Sequence, residues 1–265
     1  MEKTLEKKLQ QKNPTFEDSE VDWMLENIGV EDPKVRDELI YSLLTRAIYD
    51  EYLTEAQFLR VAGDLLKNNL VFYKMDEEFP AVLTRSFAAL QCGNVLSADG
   101  QKGGRYYHQL SNTEREQFFQ DAIAYLQEEP CSEGYSDTYG WIHAFAHGAD
   151  FLRAAMTHPD FPPVLAEQVL YTLEYVFCNI GGAFTAGEER RLGRVVVSGI
   201  LSGKLTQSQV ADWLKQVNFP LRENLDYVRL ATFEVFLAYI YFHLFEKIEL
   251  EGTFKSALLE YLREI

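Results

Sequence analysis

The sequence predicts an all-α fold, one domain over residues 1–265 built as an α–α superhelix of antiparallel helical hairpins. Three observations carry that expectation. A Ser or Thr is followed three residues later by Glu or Gln at Thr54/Gln57, Ser111/Glu114, Thr185/Glu188 and Thr206/Gln209. At that spacing each side chain satisfies an orphan amide of a helix's first turn. Apolar residues recur at three and four, as in Leu39, Leu43, Ala47 and Tyr41, Leu44, Ile48, and sustained alternation between hairpin turns is missing, so no strand is predicted. The loops are mostly short, which sets successive helices antiparallel.

In chain order, residues 1–16 read as a polar N-terminal segment, charged where an export signal would need an apolar core. Helices follow near 17–28, 33–50, 55–69, 78–97, 112–129, 139–157, 163–179, 186–202, 207–217 and 223–247, with a short last one at 252–263. Asp32-Pro33 and Phe161-Pro162-Pro163 open two of them, because proline loses nothing at a first helical position. The longest irregular stretches, Ala98 to Leu110 and Glu129 to Thr138, are polar and contain glycine, which suits the rims of a site. The spacing Ile48, Leu53-Thr54, Gln57 returns as Ile200, Leu205-Thr206, Gln209. Helical hairpins stacked as in HEAT or armadillo repeats would produce such an echo.

Composition narrows the function. With 47% hydrophobic and 25% charged residues the chain is globular. Acids outnumber bases 41 to 25, and the charge of −16 with scattered Lys and Arg argues against nucleic acid. A basic protein surface, a cationic ligand or a metal ion is electrostatically easier, although acidity also serves solubility alone. Cys92, Cys131 and Cys178 lie far apart and outside any C-x-x-C spacing, so a reducing, cytoplasmic setting is expected. The apolar run Leu230 to Phe245 is sixteen residues long. At about 1.5 Å per residue it reaches roughly 24 Å, short of the ~30 Å hydrocarbon core, so a helix buried by its neighbours is expected in place of a membrane span.

The most unusual segment is Gly140 to Asp150, GWIHAFAHGAD. On a helix its apolar residues cover more than half the circumference, leaving His143, His147, Asp150 and Arg153 on one stripe with only alanines between. A solvent face would carry Lys, Glu and Gln, so the stripe reads as the wall of a groove. Imidazoles at i and i+4 with an aspartate three residues on can share a divalent metal ion. Asp150 could instead orient His147 as a general base. The structural alternative is that both histidines merely hydrogen-bond inside a helical stack. Glu188 and Glu189 open a helix, where acids suit the dipole, and either could face the stripe. Arg85 lies in an otherwise apolar helix and needs a carboxylate, with Asp150 and Glu189 as candidates. Phosphate loops, nucleophile elbows and dinucleotide fingerprints are missing.

The string GWIHAFAHGADFL, with Arg85-Ser86-Phe87-Ala88-Ala89-Leu90 upstream and Gly187-Glu188-Glu189-Arg190-Arg191-Leu192 downstream, resembles the bacterial family known as domain of unknown function 2785, from about residue 35 to 245. Its characteristic Gly-Trp-x-His-x-x-Ala-His-Gly-Ala-Asp is met at Gly140, Trp141, His143, Ala146, His147, Gly148, Ala149 and Asp150. Asp137-Thr138-Tyr139 depart from the acidic residue and Arg-Gly expected just upstream, so no role of that arginine carries over. The resemblance implies a helical superhelix and cytoplasmic residence, and lends no activity. The sequence thus suggests a binding or scaffold module whose concave groove takes a protein segment or small molecule at His143, His147, Asp150, Trp141, Arg85, Glu188 and Glu189. A metal-dependent or general-base hydrolase using the same stripe is the alternative. No cofactor beyond a possible divalent metal is indicated, and the oligomeric state is left open.

Overall fold

Three of the four expected capping boxes form and set the frame. Thr54, Ser111 and Thr206 each accept from the amide three residues on, and Gln57, Glu114 and Gln209 reach back to the cap amides. They start helices α4 (Glu55–Lys67), α6 (Asn112–Glu128) and α10 (Gln207–Leu214). The computed structural model describes residues 1–262, and among them the fold is all-α, with twelve α-helices packed on one another. The remaining helices are α1 (Glu2–Leu9), α2 (Asp18–Glu26), α3 (Ser42–Tyr49), α5 (Ala81–Asp99), α7 (Ala144–Thr157), α8 (Ala166–Asn179), α9 (Glu188–Leu201), α11 (Asn224–Phe245) and α12 (Gly252–Tyr261). The expected last residue of the final helix, 263, lies outside the described residues.

Several expectations are corrected. The N-terminal segment, read as merely polar, contains α1, whose Leu5 is fully buried. The helix expected over 33–50 is a π-helical stretch, Lys34–Tyr41, running into α3. A two-stranded antiparallel ribbon pairs β1 (Tyr135–Ser136) with β2 (Gly140–Trp141) where no strand was predicted. It occupies the start of the helix expected at 139, so α7 begins only at Ala144. The echo at Ile48 and Ile200 is a shared way of ending a helix. Tyr52 and Leu53 both donate to the carbonyl of Ala47, as Lys204 and Leu205 do to Gly199, and a capping box follows each. That local recurrence accounts for the pattern, and no repeat or superhelix is identified.

The core is built around α5 and α7. Seventeen residues of α5 are buried, and α7 packs against α5, α6 and α9. Glycines permit the approach: a methyl group at Gly93 would meet the Phe151 backbone at 3.2 Å, and one at Gly148 would meet the Tyr125 ring at 2.6 Å. Further along, α11 packs on α8, α9 and α12. It is not the enclosed helix expected. It runs 22 residues, long and apolar enough by composition to cross a membrane, yet only 33% of its apolar window is buried. Tyr227, Val235, Phe242 and Phe245 stand exposed along it.

Candidate functional site

The histidine segment begins in strained backbone. Gly140 (φ +71°) turns the ribbon, and His143 caps α7 in the left-handed conformation (φ 49°, ψ 31°). A non-glycine residue there costs free energy, and such residues concentrate at functional positions. His143 therefore precedes the helix and does not ride on it. Its ring still lies close to that of His147, with centroids 5.6 Å apart, and stacks flat on the indole of Trp141 at 4.5 Å and 6°.

Each imidazole is tied at Nδ1. His143 Nδ1 lies 3.3 Å from Glu188 Oε1, and Glu188, only 1% exposed, also accepts from the Ala186 amide at 2.9 Å. Burial pushes the Glu188 carboxyl up, but the bonds from His143 and the backbone outweigh it and hold it below the usual carboxylate range. An ionised acceptor requires a proton on His143 Nδ1, which leaves Nε2 unprotonated in the neutral ring. His147 Nδ1 lies 2.8 Å from Ser86 Oγ. The Ser86 hydroxyl donates its single proton to the Ile142 carbonyl, so the imidazole must be the donor, and Nε2 is again the free nitrogen. His147 is buried, and desolvation, with the nearby His143 and Arg191, keeps it neutral well below the ordinary histidine range. A ring braced by a carboxylate, with its second nitrogen free, can accept a proton or orient a hydrogen bond.

The other expected residues divide. Asp150 does not orient His147. It pairs with Arg191 of α9 and lies 3.8 Å from Arg153. Glu188 joins the histidines, while Glu189 leaves one carboxylate oxygen buried without a hydrogen-bond partner among the described residues. Arg85 meets neither Asp150 nor Glu189. It makes a bidentate pair with Glu129 at 2.8 and 2.9 Å, both side chains fully buried, and donates to the carbonyls of Tyr73, Lys74 and Glu77. It is a strut joining α5, the end of α6 and the loop before α5. No three His, Cys, Asp or Glu side chains among the described residues are grouped to hold a metal ion.

The capping box expected at Thr185 does not form: Gly187 caps α9, and the Glu188 carboxylate is committed to His143 and Ala186. Two cavities lie away from the histidine stripe. One cavity of about 400 Å³ lies among Leu214, Leu230, Glu234 and Tyr261, another of about 430 Å³ among Leu25, Asp64, Tyr73 and Thr84, and no candidate residue lines either.

A sequence profile described as "Protein of unknown function (DUF2785)" matches residues 71–242, well over half of the chain. The chain belongs to this family. No curated protein and no solved structure matches it.

Sequence reading missed two contributors, and one lies outside the family's matched span. Arg36 of the π-helical stretch is fully buried. It donates to the carbonyls of Tyr139 and Trp141 on one side and of Val30 and Glu31 on the other, with its guanidinium 4.8 Å from the Phe87 ring. Its signal was its phase, since Arg36 shares the apolar register of Ile40, Leu43 and Ala47. π-Helical bulges recur at functional sites. Tyr135 is the second. It faces Trp141 across the ribbon with ring centroids at 5.0 Å, and the two are 49% and 48% exposed. An isolated tyrosine in a polar loop carried no signal.

Proposed function

We propose that the chain is a binding module whose contact surface is the ribbon bearing Tyr135 and Trp141, backed by His143 and Glu188, and that it holds a segment of another protein. One observation carries the reading: a half-exposed tryptophan is held flat on a histidine that a buried, ionised glutamate braces. Ordering a large aromatic side chain before a partner arrives lowers the entropic cost of binding, and aromatic anchors of this kind dominate interface energetics. The strained cap at His143 and the Arg36 clamp on the ribbon carbonyls support the same reading, since both hold the indole in place. Acidic composition and three unpaired cysteines support a cytoplasmic setting for the encounter.

Photo-crosslinking tests it. A benzophenone amino acid placed at position 135 should capture a discrete partner in cells. The same probe at Tyr171, exposed on α8, should not, and Glu188→Gln should reduce the adduct at 135. Equal labelling at 135 and 171, or an adduct indifferent to Glu188, would remove the proposal.

A further inference from the structure

We infer that the partner segment is basic, and that the Tyr135–Trp141 pair receives a lysine or arginine side chain from it. This rests on the binding reading and narrows it to a chemical class. Tyr135 and Trp141 are register partners in the antiparallel ribbon, so both side chains stand on the same face. Their rings are inclined at 72° with centroids 5.0 Å apart, forming two walls of a corner. His143 covers one face of the indole, and about half of each aromatic residue remains open. Ring faces carry the negative end of the aromatic quadrupole, so two crossed rings attract a cation more than a neutral apolar group.

The surrounding charge points the same way. No Lys or Arg occurs between Arg115 and Arg153, whereas Glu133 and Asp137 stand exposed on the ribbon segment itself. Residues 31–38, which touch the ribbon through Pro33 against Gly140, bring Glu31, Asp32, Asp37 and Glu38 against Lys34 and the buried Arg36. The whole chain carries −16, which adds long-range steering of a basic partner. Two walls cover a small free cation on two sides only, and small-molecule sites bury most of their ligand. A protein segment supplies the missing sides itself, which selects a basic side chain on a partner over a free amine.

The test uses the full chain with ¹⁵N-labelled tryptophan. The Trp141 indole resonance, assigned with Trp141→Phe, is followed during titration with three short peptides of one sequence carrying lysine, norleucine or glutamate, and with tetramethylammonium. The lysine peptide should shift the indole saturably and lose affinity as salt rises. The norleucine and glutamate peptides should leave it in place, and tetramethylammonium should bind more weakly than the lysine peptide. Tyr135→Ala, an exposed change that spares the core, should weaken the lysine peptide about tenfold, and Tyr135→Phe, which keeps the ring face, should not. Norleucine binding as well as lysine would overturn the cationic class, and tetramethylammonium binding as tightly as the peptide would overturn the protein source. A crosslinked partner at 135 with no response to lysine would sink this inference and leave the binding module standing. Loss of both would remove the two together.

Discussion

Single residues hold this fold through a few buried ionisable groups, and the two that titrate, His147 and Glu188, act with the same sign in different ranges of pH. Burial works against the Arg85 charge, and the bonds and charge of Glu129 more than restore it. Removing one partner strands the other charge without water. Arg85→Met is therefore expected to cost about 3–5 kcal/mol in urea unfolding, well above the typical surface change. His147 acts through its neutral form. Its folded pKa lies well below the ordinary histidine value of 6.5, so below that value the unfolded chain binds a proton that the native chain refuses. Stability is fully present above about pH 6.5 and falls as pH drops towards the depressed native value, with a slope approaching about 1.4 kcal/mol per pH unit. His147→Asn, which keeps a donor for Ser86 but cannot titrate, should flatten that slope in denaturation curves at successive pH values, and parallel slopes would assign the effect elsewhere. Glu188 acts in a more acidic window. Its native pKa is lowered from 4.5, so its contribution is present above that value and is lost as pH falls through the native one.

At the scale of elements, α7 is placed by what it lacks. Gly148 faces Tyr125 and Leu126 of α6, where an added methyl would lie 2.6–2.7 Å from side-chain carbons. Tyr125 is fully buried and cannot yield. Gly148→Ala favours helix locally yet should destabilise the protein by about 1–3 kcal/mol through overpacking, read as a lower urea midpoint at unchanged slope. The caps show the same division between local and distant causes. Thr54, Ser111 and Thr206 cap as their spacing requires because every partner lies within four residues. Thr185 has the same spacing and fails. Gly187 takes a positive φ of 82°, and Glu188 is drawn to an imidazole 45 residues away.

On the scale of the whole molecule, the segment ahead of the family's matched span completes the candidate site. Arg36 clamps the ribbon that carries Trp141, so the segment before residue 71 is tied directly to the family's matched span, residues 71–242. The exposed apolar face of α11 takes no part in the proposed site. Tyr227, Val235, Phe242 and Phe245 repeat at helical spacing along it.

The sequence by itself determined the helical class, most helix positions, the three capping boxes and the unusual character of GWIHAFAHGAD. Each depends on contacts within one or two turns, which periodicity and capping chemistry report directly. Tertiary structure decided which side chains meet. It turned Asp150 to Arg191, gave Arg85 to Glu129, set Glu188 behind His143 and folded residues 135–141 into a ribbon ahead of α7. These pairings join residues that are distant in the chain, and their partners are fixed by packing α7 between α5 and α9, a three-dimensional constraint that no local spacing encodes.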